Sequence, residues 1–277
     1  MTALERTAEW PVPHVSAAVL GPDGSRDSIG DRHQPFHLAS VTKMVSSWAV
    51  LIAVEEGIIG LDHPVGQPGC TLRHLLSHAG GYAFDGDDPI TRPQSRRIYS
   101  NTGIELAAAA VERAADLPFA TYLADAVLGP LAMTATELRG SPAHGMWSTV
   151  DDMVRFGGEL LRPTLLASST ATDAMTVQFP ELAGIVPGVG RFSPCPWGLG
   201  VEIRGTKSPH WTGTLNSPET FGHFGGAGTF LWVDPRAASG TGLACLALTD
   251  RRFDEWSADA LRLWPELSDA VLVEHDR

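Results

Sequence analysis

The spacing of apolar positions changes period along the chain, and each change marks a different kind of element. Residues 14–20 (HVSAAVL) form an apolar run of strand length, PDG at 22–24 supplies a turn, and residues 25–30 form a weaker partner, which together predict a hairpin. The period then becomes helical. Between Val41 and Glu56 apolar residues at 41, 44, 45, 48, 50, 51, 52 and 54 leave almost no polar face, so a buried helix closed by Gly57 is expected.

Further helices are predicted at 72–78 after Thr71 as N-cap, at 103–115, at 119–127 and at 150–161. The last has two equivalent caps, Ser148 with Asp151 or Thr149 with Asp152. From about residue 197 the pattern turns to strands (GLGVEI, TFLWV, GLACLALT), before a helical stretch over 257–273. Strands at both ends bury their apolar faces best in one shared sheet. The expected fold is therefore α+β, an antiparallel sheet flanked by helices with a mostly helical region inserted. Residues 1–59 and 190–277 would build the sheet region and 60–189 the insertion, as one interleaved unit.

Composition narrows the function. With 277 residues, 43% hydrophobic and 19% charged, the chain can bury a large core, and disorder, collagen and coiled coil are excluded. The most apolar stretch, 44–59, is broken by Ser46, Ser47, Glu55, Glu56 and Gly57, too early for a membrane span. Glu5, Arg6 and Glu9 occupy the place where an export signal needs apolar residues, so a cytoplasmic protein is expected. A formal charge of −12 opposes nucleic acid and anionic membrane as partners. Cys70, Cys195 and Cys245 have no paired or metal-type spacing and read as reduced thiols. Only Lys43 and Lys207 among the 20 basic residues are lysines, so chemistry that needs a titratable amine has two candidates.

One of these stands in Ser40-Val41-Thr42-Lys43, where i and i+3 share a helix face and set a hydroxyl beside an amine. Desolvation lowers the proton affinity of an ammonium, so Lys43 can take the Ser40 proton near neutral pH, and the Ser40 N–H is a candidate oxyanion donor. The bland alternative is a capping serine followed by a snorkelling lysine. His74 and His78 have i, i+4 spacing, but Leu75 stands where a metalloprotease helix needs Glu, so no metal site is assigned. The G-x-S-x-G elbow, a phosphate loop and a complete G-x-G-x-x-G are all absent. The acidic residues from Asp85 to Asp88 read as a solvated loop that could edge a cleft before Tyr99.

PFHLASVTKM, TLRHLLSHAGGY (71–82), IYSNTG (98–103) and GHFGGAGTFLWVDP (222–235), supported by LDHPV, LGPLAMTAT and STVDDMVRFG, occur in an order that resembles the penicillin-recognising serine hydrolases. The resemblance is to the branch of class C β-lactamases, DD-peptidases and β-lactamase-like esterases, and it covers about residues 13–250. It implies the β-lactamase/transpeptidase-like fold and an acyl-enzyme on Ser40, with Lys43 and Tyr99 managing protons and no cofactor. Tyr99-Ser100-Asn101 is similar to the family's Tyr-x-Asn motif, which implies a phenol between nucleophile and leaving group, favoured as phenolate by Lys43, and an Asn101 amide that orients substrate or Lys43.

The third motif, usually Lys-Thr-Gly, stands here as His223-Phe224-Gly225, and the resemblance assigns those three to substrate binding and the Gly226 N–H to the oxyanion hole. Lys207-Ser208-Pro209 is a rival for that motif, disfavoured because Pro209 lacks the N–H and freedom that glycine gives. His223 in place of lysine, and no export signal, favour hydrolysis of a small ester or amide over β-lactam or cell-wall peptide. Phe224 in place of threonine predicts an apolar preference. An acyltransferase using the same acyl-enzyme, a D-amino-acid peptidase or β-lactamase, and a silent binding protein on this scaffold are the other readings; oligomeric state is left open.

Overall fold

The computed structural model describes residues 2–275. After a 3₁₀ segment at Leu4–Glu9, β1 (Val15–Gly21) and β2 (Gly24–Ile29) form the expected hairpin, followed by β3 (Phe36–His37). Helix α1 (Thr42–Glu55) follows a 3₁₀ turn at Ala39–Val41, then come α2 (Leu72–Leu76), α3 (Asn101–Ala115) and α4 (Phe119–Leu123), which continues as a π-type turn over Ala124–Leu128. β4 (Glu137–Leu138) and β5 (Met146–Ser148) pair beside β3, and α5 (Val150–Leu161), α6 (Ser168–Ala174) and the small hairpin β6 (Gly184–Val186) and β7 (Gly190–Phe192) complete the middle of the chain. β8 (Glu202–Ile203), β9 (Phe221–Gly225), β10 (Thr229–Asp234), the short α7 (Ala237–Gly240), β11 (Leu243–Thr249) and α8 (Ser257–His275) form the C-terminal part.

The main sheet has six strands in the order β2-β1-β11-β10-β9-β8, and neighbouring strands pair antiparallel. β1 lies along β11 in the register Val15 to Thr249 through Leu20 to Ala244, so the two ends of the chain share one sheet. The alternation in β11 shows why two cores form. Ala244, Leu246 and Leu248 join the core that also holds α1, α3 and α5, while Leu243, Cys245 and Ala247 join the aromatic core beside α8, because successive side chains point to opposite faces of a strand. Helix α1 lies within the first core with every side chain from Thr42 to Ala53 buried, as its apolar pattern requires. The second core is rich in rings, with Trp10, Trp211, Trp232, Trp256 and Trp264 packed around Phe230 and Phe224.

Local signals set several boundaries. Thr71 caps α2 in a box with His74, whose Nδ1 accepts the Thr71 N–H at 3.2 Å. Of the two candidate caps for α5 the structure selects Thr149, whose hydroxyl accepts the Asp152 N–H at 3.3 Å. GLGVEI departs from expectation, since only Glu202 and Ile203 form a strand. Gly198 sits where a Cβ would meet the Ala174 carbonyl at 2.1 Å, and Gly200, at φ +81°, lies where one would meet the Ser47 side chain at 2.2 Å, so this segment bends over α1 and α6 instead of extending. No helix among the described residues is long and apolar enough to cross a membrane. The three cysteines are buried and unpaired.

Candidate active site

Ser40 stands in the 3₁₀ turn that opens α1, immediately after Ala39 at φ +46°. A left-handed alanine is a strained conformation, held here by the close pass of β9: Gly225 lies where a Cβ would meet the Leu38 carbonyl at 2.3 Å, and Thr229 donates its hydroxyl to that carbonyl at 2.8 Å. The start of α1 is therefore pinned against the sheet. One helical turn on, Lys43 Nζ lies 3.1 Å from Ser40 Oγ, 2.6 Å from Asn101 Oδ1 and 2.9 Å from the Ala143 carbonyl.

These three acceptors are all formally neutral, although the ammonium is fully buried. Burial lowers the Lys43 pKa to about 7, and the more distant carboxylates of Glu105 and Asp85 offset only part of that effect. Both carboxylates also hold the cage together. Asp85 accepts from Asn101 Nδ2 at 2.9 Å, which turns Asn101 Oδ1 toward Lys43, and Glu105 accepts from Ser141 Oγ, which in turn accepts from the Ala143 N–H at 3.0 Å. The acidic loop therefore supplies a ligand to the cage as well as a solvated edge.

Tyr99 enters from the residue before the N-cap of α3, where Ser100 Oγ accepts the Gly103 N–H at 3.0 Å. Its ring lies beneath Lys43, with Nζ 4.8 Å from the centroid, a cation–π arrangement. The expectation of a phenolate is corrected here: burial pushes the phenol above its usual range, and the neighbouring Ser40 hydroxyl lowers it only in part. Tyr99 is thereby held as the neutral phenol at neutral pH. His78, read from sequence as a structural residue, packs its ring 4.7 Å from Tyr99 and accepts the Ser100 N–H on Nδ1 at 3.3 Å, so it also shapes the site.

His223 lies on β9, which is second from the edge of the sheet; the shorter β8 pairs with Phe221 and Gly222, and the register ends before His223. Its Nδ1 is 2.6 Å from the Phe224 carbonyl, and a carbonyl can only accept, so Nδ1 carries the hydrogen. Burial, reinforced by the positive charge of Lys43, holds the imidazole down to about 3, so the ring is neutral. Nε2 is buried and, among the described residues, has no hydrogen-bond partner. Where the resemblance has a cationic lysine, this chain has a neutral imidazole.

The two lysines have separate fates. Lys207 is buried away from the Ser40 cage, with Nζ 3.0 Å from Glu202 Oε1 and donating to the carbonyls of Pro196 and Ile203. Glu202 also accepts from Trp211 Nε1 at 2.6 Å and lies 3.1 Å from His210 Nε2. These partners hold its carboxylate far below the usual range despite full burial. Ser40, Tyr99, Trp197, Glu202, His223, Phe224 and Gly226 all line one cavity of about 370 Å³, closed by Phe84, Val186, Pro187 and Phe253. Gly225 is not among its lining residues and serves the approach to Leu38 instead. The sequence did not point to Trp197, Glu202 or Phe253, and no local motif marks them.

Among the described residues no group of three metal-ligating side chains occurs, and His74 and His78 are engaged separately as above. A serine hydroxyl beside a desolvated amine, a protonated phenol and the Ser40 and Gly226 amides make up a set of groups able to carry out acyl transfer.

The Beta-lactamase family model matches residues 26–264, and the chain belongs to this family of serine hydrolases. A β-lactamase structure from Mycobacterium bovis is 49% identical with a TM-score of 0.95, covering 100% of both chains. A putative D-alanyl-D-alanine carboxypeptidase of Escherichia coli strain K12 is 26% identical across 72% of this chain, and penicillin-binding protein 4* of Bacillus subtilis is 26% identical across 37%. The chain spans 66% and 30% of the lengths of those two relatives, respectively. A hydrolase with promiscuous acyltransferase activity shares the fold, with a TM-score of 0.79 at 17% identity over 98% of this chain and 96% of its own.

Proposed function

We propose that the chain hydrolyses a small, uncharged ester or amide through an acyl-enzyme on Ser40. The observation that carries this reading is the cage around Lys43: a buried amine with no carboxylate in contact among the described residues, 3.1 Å from a serine hydroxyl and with a pKa of about 7. In its neutral form Lys43 accepts the Ser40 proton as Oγ attacks the substrate carbonyl. The tetrahedral oxygen rests on the Ser40 and Gly226 N–H groups, an arrangement worth roughly 3–4 kcal/mol per donor where such donors have been removed. Tyr99 gives its proton to the departing oxygen or nitrogen and regains one from the Lys43 side. Water then enters by the reverse route and releases the acid.

His223 supports an uncharged substrate. A neutral imidazole brings no positive charge to meet a substrate carboxylate, the opposite of what a lysine would do there. Phe84, Val186, Phe224 and Phe253 add apolar walls to the cavity. Butyrate esters are therefore expected to exceed acetate esters in kcat/KM, and a flat or reversed order would oppose this preference.

The test of the reaction is intact-protein mass and product release after brief exposure to p-nitrophenyl butyrate and, separately, to a penicillin, with wild type and Ser40→Ala. Turnover or an adduct with the butyrate ester that vanishes in Ser40→Ala supports the proposal. A Ser40-dependent adduct with penicillin alone moves the reading to penicillin recognition, and no Ser40-dependent reaction with either reagent overturns it.

A further inference from the structure

Beyond the catalytic cavity lies a second chamber of about 610 Å³, and Phe84, Tyr99 and Pro187 belong to the walls of both. Its sides are apolar. Phe84, Ile90 and Ile185 are each about half exposed, an unusual cost for large side chains in a chain that buries most others, and all three face this one space.

The chamber is also cationic. Arg96, Arg97 and Arg191 line it, and the chain as a whole carries a charge of −12. Arg97 is 2% exposed, and its guanidinium donates to the carbonyls of Ser77, Gln178, Phe179 and Cys195, so its hydrogen bonds are met while, among the described residues, its charge has no carboxylate partner. Buried charges are ordinarily paired, and this one leaves a positive field beneath the chamber. Arg96 and Arg191 are exposed and, among the described residues, form no ion pair. The backbone joins these arginines: residue 97 bridges Gly184, and Arg191 stands opposite Ile185 in the β6–β7 hairpin.

We propose that this chamber is a subsite for an anionic, amphipathic extension of the substrate, with an apolar chain crossing the Phe84–Ile185 wall and a carboxylate or phosphate ending at Arg96 and Arg191. The inference rests on the acyl-enzyme reading and refines it: the group that enters the catalytic cavity is uncharged, and the charge lies at the far end. Guanidinium forks suit an oxyanion, and Arg97 adds field without making contact. A purely apolar occupant would leave the three arginines unexplained, whereas a free anion would leave the isoleucines unexplained.

Two ester series test it and also show which end of the ester carries the charge. One compares p-nitrophenyl esters of fatty acids with those bearing a terminal carboxylate at the same length. The other compares butyrate esters of simple alcohols with those of ω-hydroxy fatty acids. In one series kcat/KM should favour the anionic member, and Arg96→Gln/Arg191→Gln should lower the anionic-to-neutral ratio about tenfold. The ratio should also fall as NaCl is raised. Equal ratios in wild type and the double variant, in both series, overturn the proposal.

Binding separates failure of the subsite from failure of the chemistry. Calorimetry of decanoate with Ser40→Ala, with and without the two arginine substitutions, needs no turnover. Weaker binding without the arginines supports the chamber even if no ester is hydrolysed, and equal or absent binding overturns it.

Discussion

The chain has two lysines, both buried, and the structure uses them in opposite ways. Lys207 touches the carboxylate of Glu202 at 3.0 Å, and that carboxylate is further held by His210 and Trp211, so the charge is paired and fixed. Lys43 touches a hydroxyl, an amide oxygen and a backbone carbonyl, with the carboxylates Asp85 and Glu105 held off behind Asn101 and Ser141. Burial is common to both. What separates an amine able to act as a base from a structural cation is the distance to the nearest counter-ion.

The sharpest way to break that comparison is to remove each amine in turn. Lys43→Met is expected to reduce kcat/KM at least about a thousandfold while leaving the melting temperature equal or higher, since an uncompensated buried charge disappears. Lys207→Met leaves Glu202 buried without its cation, and chemical denaturation should show a loss of about 3–5 kcal/mol. If the two variants lost stability equally, the distinction between them would fail. Next in size, Tyr99→Phe removes the proton donor and should cost about a hundredfold in kcat with the fold unchanged by circular dichroism.

The pH dependence follows from the same cage. In the proposed mechanism the active form is neutral Lys43, so kcat/KM should rise through an acid limb near 7 and then level, and a limb at the pKa of an ordinary lysine would contradict the assignment. Stability has the same direction. The folded pKa of about 7 lies below the value of 10.5 in an unfolded chain, so between these values the unfolded state binds more protons, and the contribution of Lys43 to stability increases as pH rises across that window. The smallest effect belongs to Asp85→Asn. Its carboxylate raises the Lys43 pKa, so its removal should move the acid limb downward by a fraction of a unit.

The groups of this site that sequence reveals are those whose partners lie close along the chain or in short motifs. Ser40 and Lys43 are one helical turn apart, Tyr99 and Asn101 flank a capping serine, and His223 precedes two glycines where a β-strand meets its turn. The rest of the cage comes from far away. Ala143 reaches Lys43 across 100 residues and Asp85 reaches Asn101 from a loop that reads only as acidic and solvated. The main sheet was legible because β1, β10 and β11 are long apolar runs, and the buried helix because its pattern had no polar face. GLGVEI misled because alternation does not reveal that the backbone at Gly198 and Gly200 is pressed against Ala174 and Ser47. The protonation state of Tyr99 is not legible in the sequence, because proximity to a cation favours phenolate whereas the burial that opposes it appears only in the fold.

The β6–β7 hairpin pairs with itself and reaches the rest of the molecule's backbone ladder through the bridge between Arg97 and Gly184. It contributes Val186, Pro187, Ile185 and Arg191 to the walls of the two chambers, and none of the groups around Lys43. Part of the proposed selectivity thus lies on a piece of chain separate from the proposed chemistry. A family built this way can exchange the hairpin for one of another length, charge or shape and acquire a new clientele of substrates without disturbing the inherited reaction.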